Sequence, residues 1–377
     1  MRVGIPKETA QGETRVAVIP AGVATLAKAG LQVAIESGAG LAAGFTDAAY
    51  AAQGATVVAR ADVLTSDIVL QVRAIPPANG LHTGQTVIGF ADPLGAPQAI
   101  RDVAVTGVSM LSMELMPRIT RAQSMDALSS MATIAGYKGV LLAANQLPRM
   151  FPMLMTAAGT VSPARVFIVG AGVAGLQAIS SARRLGAKVE AYDVRPAVKE
   201  QVQSLGARFV ELPLESTDAE DKGGYAKAQD ESFYRRQREM MIKVVAASDV
   251  VITTALIPGK RAPILVTTEM VEAMQPGSVV VDLAAERGGN CELTRPDEVV
   301  EHKGVSIIGP SNPPALVPYH ASQMYSRNIT TFLLHLLGKE GAKQPSLVLN
   351  PDDEITRETL LTRDGAVVHA RVKELLG

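Results

Sequence analysis

The stretch RVFIVGAGVAGLQAISSARRLGAKVEAYD, residues 165–193, decides the fold. Four apolar residues, Val166 to Val169, run into Gly170, Gly172 and Gly175 in the spacing G-x-G-x-x-G. An alanine-rich segment with helical spacing follows. A second apolar strand then ends at Asp193, 18 residues after the last glycine. The glycines alone would be a weak signal. With a strand before them, a helix after them and an acid at the end of the next strand, they form the full βαβ unit of a dinucleotide site. Gly170 permits the tight turn, Gly172 lets the backbone approach a pyrophosphate, and Gly175 lets helix and strand pack closely. Val173 opens the helix, whose free N–H groups and positive dipole end suit phosphates. Asp193 is placed to accept hydrogen bonds from the adenosine ribose, and its charge would repel a 2′-phosphate. The reading is NAD(H) rather than NADP(H), with Arg195 as the one opposing sign.

Outward from this unit, apolar strands alternate with helices on both sides. Before it come MRVGIP, LQVAIES, ATVV, DIVLQV, QTVIGF and GVSMLSMEL as strands, with AGVATLAKAG and TDAAYAAQG as helices. Gly30 and Gly54 are expected helix stops, and Thr46 an N-cap. After it come RFVEL, DVVITTAL, SVVVDLA and VSIIGP as strands, then the apolar helix QMYSRNITTFLLHLLGK. The polar NPDDEITRETLLTRDG is expected to lie back on the first domain. The fold class is α/β: two doubly wound, Rossmann-like parallel-sheet domains with a cleft between them. The expected division is 1–127 plus 318–377 for a discontinuous first, flavodoxin/Rossmann-like domain, and 128–317 for the nucleotide domain.

Composition agrees. Hydrophobic residues are 47% of the 377 and aromatics only 4%, so the core is built from aliphatic side chains. A net charge of −1 gives no argument for nucleic acid. The single cysteine, Cys291, excludes an internal disulfide and fits a reducing compartment. The N-terminus is read as mature protein, and no uninterrupted apolar run of membrane-spanning length is found. A charged insertion, STDAEDKGGYAKAQDESFYRRQREM, is expected to be a lid hinged at a Gly-Gly pair beside Tyr225. Within it Lys227, Arg235 and Arg236 read as solvated. Met150, Met153 and Met155 read as core or interface packing.

One segment is out of keeping with its apolar surroundings. RITRAQSMDALSS, residues 118–130, gathers two arginines, a glutamine, an aspartate and several hydroxyls, with no histidine or cysteine. The plain reading is a helix cap, with Asp126 or Ser124 as N-cap.

Together the stretches IPKE, ELMPRITRAQSMDALSSMATIAGYKG, MTAAGTVSPARV, GAGVAGLQAI, DVRPAVKEQVQSLGA, GGYAK, TTALIPGK, MQPGSVVVDLAAERGGNC and TRDG resemble the NAD(H)-binding component of proton-translocating nicotinamide nucleotide transhydrogenase. They run over almost the whole chain. The resemblance implies direct hydride transfer from NADH on this chain to NADP⁺ on a partner subunit, coupled to proton translocation by membrane-spanning subunits. It also implies a homodimer, and a cytoplasmic place on the inner face of the membrane, held there by partners. Carried over by residue, Arg118 would meet the nicotinamide carboxamide and Gln123 would reach the partner's nucleotide. Asp126 and Ser129 would hold the nicotinamide and its ribose, and Tyr225 would close over NAD(H).

Alanine dehydrogenase is the related competitor. Its chemistry needs a cation for a carboxylate and a group that moves protons near neutral pH. Arg15 matches its carboxylate-binding arginine. Arg73 stands where that family has a lysine, and ADPLGAP after QTVIGF holds no histidine. Arginine grips a carboxylate but is a poor proton carrier. Of the five histidines only His320 merits watching. Transfer between two nicotinamides needs no protein acid or base. It needs two rings held about 3–3.5 Å apart, which arginine, glutamine, aspartate and serine can arrange. The alternatives kept are an alanine dehydrogenase-like oxidoreductase on a small 2-oxo acid and a non-catalytic NAD(H)-binding module.

Overall fold

The computed structural model describes residues 1–74, 80–211, 231–338 and 345–377. The chain forms two compact units, Met1–Met131 with Ala315–Gly377, and Ala132–Pro314. The first six strands are β1 (Arg2–Ile5), β2 (Gln32–Glu36), β3 (Thr56–Val58), β4 (Ile68–Arg73), β5 (Thr86–Phe90) and β6 (Ser109–Ser112). A short hairpin follows, β7 (Leu154–Thr156) and β8 (Gly159–Val161). The second sheet is built from β9 (Arg165–Val169), β10 (Lys188–Tyr192), β11 (Arg208–Phe209), β12 (Val250–Thr253), β13 (Val279–Asp282), β14 (Val299–His302) and β15 (Val305–Ile308). The chain closes with β16 (Leu360–Arg363) and β17 (Ala366–Val367).

In the first unit the order is β17-β16-β6-β5-β4-β1-β2-β3, parallel from β6 to β3. The C-terminal segment does more than lie on this sheet: it extends it, with β16 antiparallel to β6. The register there shifts between Leu360 and Thr362. Thr362 repairs the ladder with its hydroxyl, which accepts from the Met110 N–H at 2.9 Å and donates to the Val108 carbonyl at 2.8 Å. The helix Pro318–Leu336 is tied to the segment before the first helix. Ser322 and Ser326 accept the Val16 and Ile19 N–H groups.

In the second unit the order is β11-β10-β9-β12-β13-β15-β14, all parallel except the edge strand β14. The strands show why this sheet is covered on both sides. Val166, Ile168, Val250, Ile252, Val279 and Val281 pack with Ala178, Ile179 and Ala182 of the helix Val173–Arg184. The alternate residues Phe167, Val169, Val251 and Val280 pack with Met241, Val245, Met270 and Val271 on the other face. A period of two with both faces apolar is what a parallel sheet between helix layers requires. Each of the valine, isoleucine, phenylalanine and methionine side chains stabilises the unit by about 1.5–3 kcal/mol before entropy is counted.

The helix Ala127–Gln146 is, by length and composition, apolar enough to cross a membrane, the only such helix among the described residues. Lys138 interrupts its apolar run. Its packing gives the reason for its apolarity. Val140 and Ala143 join the core of the second unit, and a Cβ on Gly136 would lie 2.1 Å from the Ala174 carbonyl oxygen.

Candidate active site

The order of the second sheet reverses between β9 and β12, and ligands of doubly wound sheets bind outside the carboxyl ends of strands at such a point. Gly170, Gly172, Val173, Gly175 and Asp193 all stand there. Gly170 has φ +99°, and a Cβ on it would meet Thr254 Oγ1 at 2.5 Å. A Cβ on Gly175 would sit 1.9 Å from the Gly170 carbonyl oxygen. By contrast, among the described residues, a Cβ on Gly172 would meet nothing nearer than 3.9 Å, so none of them fills that side of the turn. Gly172 is the N-cap of the helix Val173–Arg184 and supplies no side-chain cap. Among the described residues no N-cap side chain takes up the first-turn N–H groups, which suits an outside acceptor such as a phosphate. A cradle closed by two glycines and open at the third fits a nicotinamide dinucleotide.

Asp193 is only 8% exposed. Its Oδ2 accepts the Ala171 N–H at 2.7 Å, which ties the acid to the glycine turn. The Arg195 guanidinium closes on the same carboxylate, so the sequence neighbour that argued for a 2′-phosphate is engaged by the acid itself.

Sequence reasoning missed the groups that hold the adjoining loops. Asp282, fully buried at the end of β13, accepts five hydrogen bonds, from Thr253 and Thr294 hydroxyls and from the Ala284, Asn290 and Cys291 N–H groups. Asn290 in turn bonds Ala255 in both directions and the Pro263 carbonyl. Thr254 donates to the Gly170 carbonyl at 3.0 Å. The motif TTALIPGK thus begins with two hydroxyls, one that bonds Asp282 and one that fastens the glycine turn. Burial pushes the Cys291 thiol up to about 12, so it stays protonated.

The polar segment lies in the first unit. Thr120–Met125 is a single 3₁₀ stretch with Ala122 and Met125 buried beneath it. Arg118 and Gln123 are exposed. Asp126 caps the helix Ala127–Gln146: its Oδ1 accepts the Ser129 N–H at 2.9 Å and its Oδ2 the Ser129 hydroxyl at 2.6 Å. Ser124 is not the side-chain cap; its carbonyl accepts from Asn328 Nδ2 at 2.9 Å. Arg121 pairs with Asp353 at 2.6 Å, fastening the segment to the C-terminal stretch of the chain. Tyr225 and most of the insertion that carries it lie outside the described residues. Arg235 and Arg236 are exposed.

The first sheet also reverses order, between β1 and β4, and a second buried polar group sits there. Arg15 grips Glu13 through Nε at 2.7 Å and Nη2 at 2.5 Å, with Arg73 Nε 3.5 Å from the same carboxylate. After β5 the turn is held by Glu114, which accepts the Ala91 and Asp92 N–H groups at 2.7 Å. The turn itself, ADPLGAP, holds no histidine. His335 meets Asp353, His302 meets Glu272, and His320 is exposed with its ring edge-on to Tyr319.

Glu8 accepts the Val72 and Arg73 N–H groups at 2.6 and 3.1 Å. Burial nevertheless raises it from its ordinary 4.5 to about 7. The folded chain therefore holds this proton more tightly than the unfolded chain. Its contribution to stability is full below 4.5 and is lost as pH rises to about 7. Glu8→Gln is expected to shrink the fall in thermal midpoint between pH 4.5 and 8. An unchanged fall would contradict the assignment.

Comparison with known proteins agrees with this geometry. Residues 4–135 match the family described as "Alanine dehydrogenase/PNT, N-terminal domain", and residues 139–370 its "C-terminal domain" counterpart. The chain is 45% identical, over 98% of each chain, to an NAD(P) transhydrogenase subunit alpha polypeptide of Rhodospirillum rubrum. A crystal structure described as transhydrogenase from Sinorhizobium meliloti superimposes with a TM-score of 0.87 at 46% identity, covering 98% of this chain and 100% of that one. The alanine dehydrogenase of Methanococcus maripaludis is 31% identical over 93% of this chain and 91% of its own. Fold and glycine turn define an α/β, doubly wound protein with a nicotinamide-nucleotide site. More particularly, the chain belongs to the alanine dehydrogenase/PNT family.

Proposed function

We propose that this chain is the NAD(H)-binding component of a proton-translocating NAD(P) transhydrogenase. The observation that carries the reading is its 45% identity to a transhydrogenase alpha chain over 98% of both, against 31% to an alanine dehydrogenase. The turn after β5, which offers no histidine to move protons, supports the same choice. When bound, NADH supplies the hydride. The chain's residues bind and aim it. The glycine turn and helix N-terminus take the pyrophosphate, and Asp193 takes the adenosine ribose, which favours NAD(H) over NADP(H). Arg118 holds the carboxamide. Asp126 fixes the Ser129 hydroxyl as an acceptor toward the nicotinamide end. Gln123 reaches toward NADP(H) on the partner subunit. In this reading the chain docks on membrane-spanning subunits at the cytoplasmic face.

The same reading includes a homodimer. All six residues of the β7–β8 hairpin are exposed, Leu154, Met155 and Val161 among them, with Met150 and Met153 beside it. A two-stranded hairpin is marginal in water by itself. Sedimentation should give twice the chain mass; a monomer at micromolar concentration would remove the dimer from the account.

The test of function is a titration with NADH, read by nicotinamide fluorescence, followed by pyruvate and ammonium. Saturable binding without NADH consumption is expected. Rapid consumption would make this an amino-acid dehydrogenase.

A further inference from the structure

Asp193 has no acceptor site to spare. An ionised carboxylate offers about four lone-pair sites. Here Oδ1 accepts the Arg195 N–H and Arg195 Nε, each at 2.9 Å. Oδ2 accepts the Ala171 N–H at 2.7 Å and Arg195 Nη2 at 2.9 Å. Two of these donors are backbone groups set by the turn and the strand end. The other two are one guanidinium fork, and only that fork can leave without unfolding the turn. A ribose hydroxyl that bonds Asp193 must therefore take the fork's place.

We propose that Arg195 is a resident counter-ion that NAD(H) displaces from Asp193, so that Arg195 sets the affinity and selectivity of the adenosine end of the site. The proposal rests on the reading of the glycine turn as an NAD(H) site and extends it.

Two features of the pair explain why a displaceable arginine would stand here. Both side chains are largely buried, with relative exposures of 12% for Arg195 and 5% for Asp193. A carboxylate at that depth needs a partner whenever no nucleotide is present. Arg195 Nη2 also lies 3.9 Å from the position a Gly172 Cβ would take, beside the open side of the phosphate turn. The pair thus leaves the site near neutral, and that works against selectivity. A bare carboxylate repels a 2′-phosphate; a carboxylate whose arginine has been released beside it does so far less. Arg195 is then a brake on NAD(H) binding and a softener of the discrimination that Asp193 imposes.

The experiment uses the full chain and two probes, NADH and NADPH, titrated by nicotinamide fluorescence. Arg195→Met keeps the aliphatic stem and removes the fork. It is expected to bind NADH roughly threefold to tenfold more tightly, the gain from one competing hydrogen-bonded contact. NADPH should bind more weakly than in wild type, so the ratio of the two affinities rises further. Arg195→Lys keeps the charge without the fork and should fall between. In an Asp193→Ala background the Arg195→Met change should have no effect on NADH beyond about twofold, because the competition needs the acid. Weaker or unchanged NADH binding in Arg195→Met, in a variant that melts like wild type, would overturn the proposal and make Arg195 a direct ligand or a bystander. Unchanged NADH binding in Asp193→Ala would overturn the ribose contact itself, and is told apart from the first failure by that variant alone.

Discussion

Gly175→Ala is expected to abolish NADH binding at millimolar nucleotide while leaving the first unit folded. The added Cβ would sit 1.9 Å from the Gly170 carbonyl oxygen. No non-bonded carbon approaches an oxygen that closely, and the obstacle is backbone, so no side-chain rotation relieves it. Either the helix Val173–Arg184 moves away from β9 or the turn at Gly170 opens. Both moves carry the first-turn N–H groups away from the phosphate position. Losing two or three charge-assisted hydrogen bonds at about 1.5–3 kcal/mol each weakens binding by at least two orders of magnitude. Overpacking itself costs a further 1–3 kcal/mol or so in stability. Fluorescence titration reads the first effect and thermal unfolding the second. NADH affinity within threefold of wild type would show that the turn does not carry the phosphates.

Asp282→Ala is expected to have the largest effect on stability. The substitution leaves three backbone N–H groups and two hydroxyls without the acceptor they share at the end of β13. The hydroxyls can turn to other acceptors; the three N–H groups cannot. A loss of about 3–5 kcal/mol follows for the second unit. For a unit of this size that lowers its thermal midpoint by about 10 °C. The loop that Asn290 ties to Ala255 and Pro263 should lose protection from amide exchange first. A midpoint within 2 °C of wild type would show that the network is dispensable.

These two residues mark the limit of what the sequence displays. Gly175 is legible because everything it needs is local: a strand, a turn and a helix within 29 residues. Asp282 is not, because four of its five donors come from β12 and from a loop that returns to it only in three dimensions. The same holds for strands. The alternating apolar runs expose their own periodicity. The edge strand β14, VVEH, is half polar and gains its ladder only from β15. Strand β16 hides in a polar run because Thr362 bonds the neighbouring backbone with its side chain. The Asp126 cap was legible from residue type and position. That Asp126 spends both oxygens on Ser129 was not, nor that Arg195 would close on Asp193.

The most direct test of the account follows a label. The purified chain is mixed with the NADP(H)-binding subunit that the proposal pairs it with, NADP⁺ and NADH carrying deuterium at both C4 positions, and the NADPH formed is analysed by mass spectrometry. Direct transfer between two rings predicts one deuterium in every NADPH, none lost to water, with slower transfer but retained NADH binding in Arg118→Ala and Gln123→Ala. Unlabelled NADPH, or NADH oxidised only when pyruvate and ammonium are added, would contradict it.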